Sequence, residues 1–134
     1  MAKLSEPVRK LLEAPNFGSL ATLMPDGSPQ VTTVWVDTDG EHVIVNTARG
    51  RQKPNNLERD PRVAISVVDK DNPYRQASIR GRVVQMTEQG AEAHIDRMAK
   101  KYLGKDQYPF RGPGERRVLV KIEPTHVATN GLEE

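Results

Sequence analysis

Residues 46–57 read Asn-Thr-Ala-Arg-Gly-Arg-Gln-Lys-Pro-Asn-Asn-Leu and are the most informative stretch of the chain. Three cations, Arg49, Arg51 and Lys53, fall within five residues, and there is no acid among them. A β-branched run ends just before this stretch, and Pro54 suits the first helical position. Free backbone N–H groups at a helix N-terminus attract anions. The stretch therefore predicts a phosphate site at a strand-to-helix junction, the alternative being a solvated basic loop.

The sequence before this junction predicts a short helix followed by an antiparallel meander. Ser5 and Pro7 are typical of a helix start, and Pro15 is typical of its end. Two Asp-Gly pairs, at residues 26–27 and 39–40, separate apolar or β-branched runs and predict hairpin turns. The three strands are expected at residues 17–24, 30–37 and 42–46.

The sequence after the junction predicts a short helix at residues 54–60, three more strands and one longer helix. Residues 63–69 are almost continuously apolar, which indicates a strand buried on both faces. A long alternating strand follows at residues 75–86. Thr87 is expected to cap a helix over residues 91–102. With a last strand at residues 117–122, six strands and one substantial helix predict a small, mainly antiparallel β-barrel with flanking helices.

The composition excludes several classes of function but does not identify one. The 134 residues contain no cysteine, which excludes disulfides and thiolate chemistry, and their length suits a single domain over residues 1–134. The net charge of +2 and the 4% aromatic content disfavour nucleic acid as a partner. There is no apolar run long enough for a membrane helix and no signal-peptide pattern, so a cytoplasmic protein is expected. The three histidines lack metal-ligand spacing, so no metal is expected.

Four motifs follow one another along nearly the whole chain, at residues 20–31, 51–63, 79–83 and 116–127. In this order they resemble the pyridoxamine 5′-phosphate oxidase-like split β-barrel superfamily of flavin and deazaflavin proteins. The similarity is greatest to the branch associated with coenzyme F-420. The resemblance implies a six-stranded antiparallel split β-barrel, like that of FMN-binding proteins. It also implies a homodimer with two cofactor sites at the subunit interface.

The resemblance also implies which residues contact the cofactor. An Arg-x-Lys element after the third strand binds the cofactor phosphate in this family, in agreement with the phosphate site expected from the cations alone. Other positions line the ring system, and an aromatic residue precedes the fifth strand, where several relatives have Trp. Trp35, the only tryptophan, is interpreted as barrel or dimer packing. The residues expected at the cofactor are Gln30, Thr33, Asn46, Arg51, Gln52, Lys53 and Tyr74.

The function implied is that of an F-420-dependent oxidoreductase, which transfers a hydride between the cofactor and a small organic substrate. The alternatives are an FMN-binding relative of pyridoxamine 5′-phosphate oxidase and a non-catalytic protein that stores F-420. The catalytic residues are unknown, with Tyr74, Tyr108 or a water as candidate proton donors. The acidic tail of F-420 requires further cations. Candidates for that role are Arg75, Arg80, Arg82, Arg111 and Arg116.

Overall fold

The computed structural model describes residues 2–132, which form a curled antiparallel sheet of seven strands with three helices against it. In sheet order the strands are β2-β1-β5-β6-β7-β4-β3. The elements in chain order are α1 Glu6–Glu13, β1 Phe17–Leu23, β2 Pro29–Trp35, β3 Asp37–Thr38, β4 Val43–Ala48, α2 Gln52–Arg59, β5 Arg62–Asp69, β6 Asn72–Thr87, α3 Ala91–Leu103 and β7 Arg117–Asn130.

The sheet closes into a split barrel at Val36. This single residue separates β2 from β3, yet these two strands are the opposite edges of the sheet. The sheet must therefore curl until its edges almost meet. The predicted fold class is confirmed, but there are seven strands because the expected strand at residues 30–37 is two strands. The predicted meander is wrong, since β2 pairs with β1 whereas β4 pairs with β3 and β7.

Side chains of α3 replace the sheet hydrogen bonds that Val36 lacks. The Tyr102 hydroxyl accepts a hydrogen bond from the Val36 N–H at 2.9 Å and donates to the Asn16 carbonyl at 2.5 Å. The Lys101 ammonium donates to the Val36 carbonyl at 2.6 Å. Gly18 leaves room for the bend, because a Cβ there would lie 2.7 Å from Cγ1 of Val36. Buried backbone groups need such partners, so the bend depends on these two side chains.

The core consists of valine, isoleucine and leucine side chains between the curled sheet and α1. Ser5 caps α1 as expected, and Val8, Leu11 and Leu12 bury one face of that helix. The strand β5 alternates between buried and half-exposed residues, so the prediction that both its faces are buried is wrong. None of the six aromatic residues is buried. The core is therefore aliphatic, and the aromatic side chains lie at least partly at the surface.

The helix boundaries differ slightly from the predicted ones. The helix α2 begins at Gln52, two residues before the expected start at Pro54. Gly90, at a φ of 80°, is the N-cap of α3 in place of Thr87. Among the described residues, no helix is long and apolar enough to cross a membrane.

Candidate functional site: a cleft with a cationic wall and an aromatic wall

A cleft of about 180 Å³ opens between β2, β4 and β7 of the sheet, the start of α2, and α3. The segment at residues 104–116, which joins α3 to β7, covers one side of it. One wall is polar and cationic, and the other is apolar and aromatic. The cleft is lined by Thr33, Val34, Trp35, Asn46, Arg51, Lys53, Ile95, Tyr108, Phe110 and Arg117.

The cationic wall combines a helix start with three positively charged side chains. Arg51 is the N-cap residue of α2, and no side chain caps the free N–H groups there. Lys53 is half-buried, and its ammonium lies 3.4 Å from the Thr32 hydroxyl. Burial lowers the pKa of Lys53, and the neighbouring cations Arg51 and Arg117 lower it further. Positive charge is thus concentrated at this end of the cleft, where an anion would relieve the repulsion.

Arg117 is the third cation and is only 4% exposed. Its Nε donates to Oδ1 of Asn46 at 2.9 Å, and its guanidinium lies 5.1 Å from the centre of the Tyr108 ring. Its Nη1 atom is buried and has no hydrogen-bond partner. Burial lowers the pKa of Arg117, but a guanidinium stays charged at any physiological pH. A buried cation with an unpaired donor is costly unless a ligand completes it.

Glu115 is the one carboxylate among these cations. Its Oε1 lies 3.3 Å from Nη2 of Arg51 and 3.4 Å from Nη1 of Arg117. Its Oε2 is buried without a hydrogen-bond partner. Three cations and one carboxylate leave a local charge of about +2, which matches an ionised phosphate monoester.

The aromatic wall is a series of ring contacts. Trp35 stacks on Tyr102 with the ring centres 5.0 Å apart and the planes 5° from parallel. Tyr108 meets Trp35 edge-on at 6.0 Å and Phe110 edge-on at 5.7 Å. Phe110 is 67% exposed. A planar ring system placed against this wall would gain apolar and aromatic contacts while its phosphate reached the cations.

The cleft brings together four of the seven predicted site residues. Thr33, Asn46, Arg51 and Lys53 line it. Three other predicted residues, Gln30, Gln52 and Tyr74, do not.

Gln30 and Gln52 are instead engaged with Asn56. The Asn56 side chain is fully buried, and its Nδ2 donates to Oε1 of Gln30 at 3.3 Å and to the Thr22 hydroxyl at 2.9 Å. Nε2 of Gln52 donates to Oδ1 of Asn56 at 2.7 Å. These contacts fasten α2 to the β1–β2 hairpin, so both glutamines position the helix that carries Lys53.

Tyr74 lies at the start of β6 and is 77% exposed. Its position is outside the cleft of its own chain.

Sequence reasoning missed Arg117, Glu115 and Phe110, and it did not single out the apolar lining residues Val34 and Ile95. Arg117 lies in the motif at residues 116–127, but a cation at the start of a strand normally indicates a solvated edge. The sequence predicts a packing role for Trp35, and in the structure Trp35 both packs on Tyr102 and lines the cleft. The loop at residues 104–116 contains two aromatic residues, Tyr108 and Phe110, in an otherwise polar segment. That pattern could have indicated that the loop contacts a ligand.

Most arginines considered for an acidic cofactor tail are already paired with carboxylates. These pairs are Arg75 with Asp69, Arg82 with Glu123, Arg111 with Glu92 and Asp96, and Arg116 with Glu88. The basic groove expected from these residues is therefore largely neutralised. Within residues 2–132, no group of three metal-ligating side chains is close enough to hold a metal ion.

Comparison with known proteins identifies the family. The family model for pyridoxamine 5′-phosphate oxidase matches residues 4–131 of the chain. The chain therefore belongs to this family, and its fold is the family's split β-barrel.

Solved structures agree with this assignment. The chain is 36% identical to a protein described as an F420 reductase, with a TM-score of 0.78, over 90% of this chain and 94% of that one. A conserved hypothetical protein from Mycobacterium tuberculosis is 25% identical with a TM-score of 0.68, over 97% of this chain and 84% of that one. HutZ, a heme storage protein from Vibrio cholerae, is 17% identical with a TM-score of 0.68, over 98% and 97% of the two chains. The likeness to HutZ shows the fold alone.

Proposed function

We propose that this protein is an oxidoreductase that binds coenzyme F-420 in the cleft and serves hydride transfer to or from a small organic molecule. The observation that carries the proposal is the buried guanidinium of Arg117 beside Arg51 and Lys53, opposite the aromatic wall, with Glu115 as the one carboxylate that offsets these three cations. This arrangement fits a molecule with an anionic group at one end and a flat ring system at the other. The 36% identity to an F420 reductase supports the choice of cofactor.

The cations would hold the phosphate of the cofactor. Arg51 offers a planar fork at the N-terminus of α2, and Lys53 offers a point charge. Arg117 adds a buried guanidinium whose Nη1 makes no hydrogen bond and lies 3.4 Å from Glu115. Phosphate binding would also satisfy the free N–H groups of the first turn of α2. Asn46 already donates both hydrogens of its amide, to the Ala91 carbonyl and to His94. Asn46 thus serves by orienting Arg117.

The aromatic wall would orient the ring system. When bound, the cofactor supplies the hydride chemistry, and the protein supplies position and a dry, charged surrounding. The Tyr108 hydroxyl is the candidate proton donor that lies in the cleft, whereas Tyr74 is not in the cleft of its own chain.

We further propose that the site is completed by a second copy of the chain. Ligand sites for molecules of this size usually enclose roughly 300–1,000 Å³, more than the cleft of one chain. Exposed apolar side chains lie on the edge strand β2 and at the start of β6. Among them are Val31, which is 65% exposed, and Tyr74, which is 77% exposed. A homodimer that buries these residues would enlarge the cleft and carry Tyr74 to the partner's cofactor.

Two alternatives use the same anchor. FMN also combines a tricyclic ring with a phosphate, and the local charge of about +2 suits its phosphate monoester. A protein that stores F-420 without turnover would need the same cations. Flavin that copurifies with the protein would favour FMN. Reduced F-420 that no acceptor oxidises in the presence of the protein would favour storage.

The experiment that tests the anchor is a titration of F-420 into the wild-type protein and into Arg51→Ala and Lys53→Ala. Each substitution should weaken binding by about 1.5–3 kcal/mol, the value of a hydrogen bond to a charged group. Arg62→Ala is the matched control, because Arg62 is an exposed arginine paired with Asp60 outside the cleft. Unchanged affinity in both anchor variants would exclude the proposed anion site.

A further inference from the structure

Four polar side chains form a continuous hydrogen-bonded chain behind the cationic wall. Oδ2 of Asp37 on β3 lies 3.0 Å from Nε2 of His94 on α3. Nδ1 of His94 lies 3.0 Å from Nδ2 of Asn46 on β4. Oδ1 of Asn46 accepts from Nε of Arg117 on β7 at 2.9 Å. The chain thus begins at a carboxylate outside the cleft and ends at a cation inside it.

The direction of these hydrogen bonds leaves Asn46 one orientation. Nδ2 of Asn46 donates one hydrogen to the Ala91 carbonyl at 2.9 Å and the other to Nδ1 of His94. Nδ1 of His94 is therefore an acceptor, and its ring proton is on Nε2, which donates to Asp37. With its amide nitrogen turned to α3, Asn46 must present its oxygen to Arg117. Burial raises the pKa of Asp37, but the His94 hydrogen bond and other contacts lower it more, so Asp37 is a carboxylate at neutral pH.

We propose that His94, held by Asp37, is a positioning residue that fixes the Asn46 amide and through it the Arg117 guanidinium. His94 is only 2% exposed and neither His94 nor Asp37 lines the cleft, so they act through Asn46. Asn46 is the hydrogen-bond acceptor for Nε of Arg117, whereas Glu115 contacts the other end of the guanidinium, 3.4 Å from Nη1. The inference rests on the proposed function in that the anion held by Arg117 is the cofactor phosphate.

Two substitutions at position 94 test the hydrogen bonds of Nδ1 and Nε2 of His94 separately. In His94→Asn, the side-chain oxygen takes about the place of Nδ1 and can still accept from Asn46, but the side chain cannot reach Asp37. In His94→Gln, the longer amide can donate to Asp37 but leaves no acceptor for Asn46. The inference expects His94→Asn to retain the orientation of Arg117 and His94→Gln to lose it.

The experiment measures anion affinity and the state of Arg117 separately. Inorganic phosphate and F-420 are titrated into each variant, and the Nε–H resonance of Arg117 is followed by ¹⁵N NMR, assigned through its absence in Arg117→Lys. His94→Gln should weaken both titrations on the order of tenfold. It should also lose the slow hydrogen exchange of the Arg117 Nε–H. His94→Asn should stay within about threefold of the wild type and keep the slow exchange.

A second histidine–carboxylate pair provides the control. His42 lies 3.0 Å from Asp39 in the turn between β3 and β4, away from the cleft. His42→Gln should bind phosphate and F-420 as the wild type does. Asp37→Ala, at a half-buried position, tests the other end of the chain if His94→Gln does not fold. It should show a loss in the same direction, because without the carboxylate the ring proton of His94 is no longer held on Nε2, and a proton on Nδ1 removes the acceptor for Asn46.

Three results would distinguish the possibilities. Wild-type affinity and slow Arg117 exchange in folded His94→Gln and Asp37→Ala would overturn the inference. The inference would also be overturned if His94→Asn and His94→Gln lost anion affinity alike and each loss followed the decrease in melting temperature of that variant. A purely structural role of His94 predicts that result. If the wild type binds phosphate but not F-420 while the exchange pattern holds, the inference stands and the proposed cofactor is wrong.

Discussion

Nε of Arg117 donates to Oδ1 of Asn46 across two neighbouring strands, and this contact joins the sheet to the cleft. Ala48 is the residue paired with Arg117, so Asn46 stands two residues away, on the same face of β4. The contact holds a buried guanidinium at the cleft, where its Nη1 makes no hydrogen bond and has only the ion pair with Glu115. A residue that the resemblance places at the cofactor ring thus works by holding a cation.

Replacement of Arg117 by Met should weaken F-420 binding strongly. Met fills much of the volume but carries neither the charge nor the N–H donors of the guanidinium, so we expect a loss of about 10- to 100-fold in affinity. Isothermal titration calorimetry would measure it.

Arg116→Met is the matched control for Arg117→Met. Arg116 is the adjacent residue, is largely exposed, and pairs with Glu88 away from the cleft. Its replacement should leave the affinity unchanged. Equal effects at positions 116 and 117 would mean that overall charge, and not the cleft, governs binding.

The affinity for F-420 should fall at alkaline pH, with its onset below the ordinary lysine pKa of 10.5. Burial and two neighbouring cations lower the pKa of Lys53, so it loses its charge earlier than a solvated lysine. Binding should be constant below the lowered pKa and weaken as pH rises through it. A bound anion favours the charged form, so binding in this range takes up a proton.

Calorimetry in buffers of different ionisation enthalpy would detect that proton uptake. Lys53→Met should remove both the alkaline decline in this range and the uptake. The free protein should show the opposite trend, because a lowered lysine pKa makes the free energy of unfolding rise with pH between the two pKa values. An alkaline decline that persists in Lys53→Met would assign it to another group.

Trp35 should report occupancy of the cleft through its fluorescence. It is the only tryptophan of the chain and lines the aromatic wall. F-420 or FMN bound against this wall should quench its emission saturably, with the same dissociation constant that calorimetry gives. Quenching that is linear in ligand concentration would place the ligand elsewhere.

Tyr102→Phe should destabilise the fold while leaving the stack on Trp35 intact. The Tyr102 hydroxyl joins the Val36 N–H to the Asn16 carbonyl, and burial raises its pKa to about 12, so it keeps its proton. Loss of the hydroxyl leaves buried backbone groups unpaired, and we expect about 1–3 kcal/mol less free energy of unfolding in urea. Tyr74→Phe, at an exposed position, should change stability little. Similar changes in both variants would contradict the role assigned to the Val36 bend.

The fold could be predicted from sequence wherever the signal is local. The Asp-Gly turns, the Ser5 cap and the alternation of β6 are fixed by neighbouring residues, and these elements were found. The break at Val36 was not, since its cause lies 66 residues away, in the hydroxyl of Tyr102. Nothing within residues 30–37 marks the point where one strand becomes two.

The residues of the site also fall into those with a local sequence signal and those without one. Arg51 and Lys53 form a dense cationic motif and could be found from their spacing. Arg117 could not, because its role follows from burial under the loop at residues 104–116 and from pairing with β4. Gln30 and Gln52 could not be separated from the cleft residues by sequence alone, because the contact that engages them is with another side chain. Both of their amides hydrogen-bond to the buried Asn56 side chain.

The central claim is that the cleft binds F-420 through the cations at its base. The most direct measurement is a titration of F-420 and FMN, side by side, into protein purified free of both, and into Lys53→Ala. The account predicts saturable binding of F-420, tighter than that of FMN, and weakened about 10- to 100-fold in Lys53→Ala. Failure of the wild type to bind F-420, or an affinity that Lys53→Ala leaves unchanged, would contradict it.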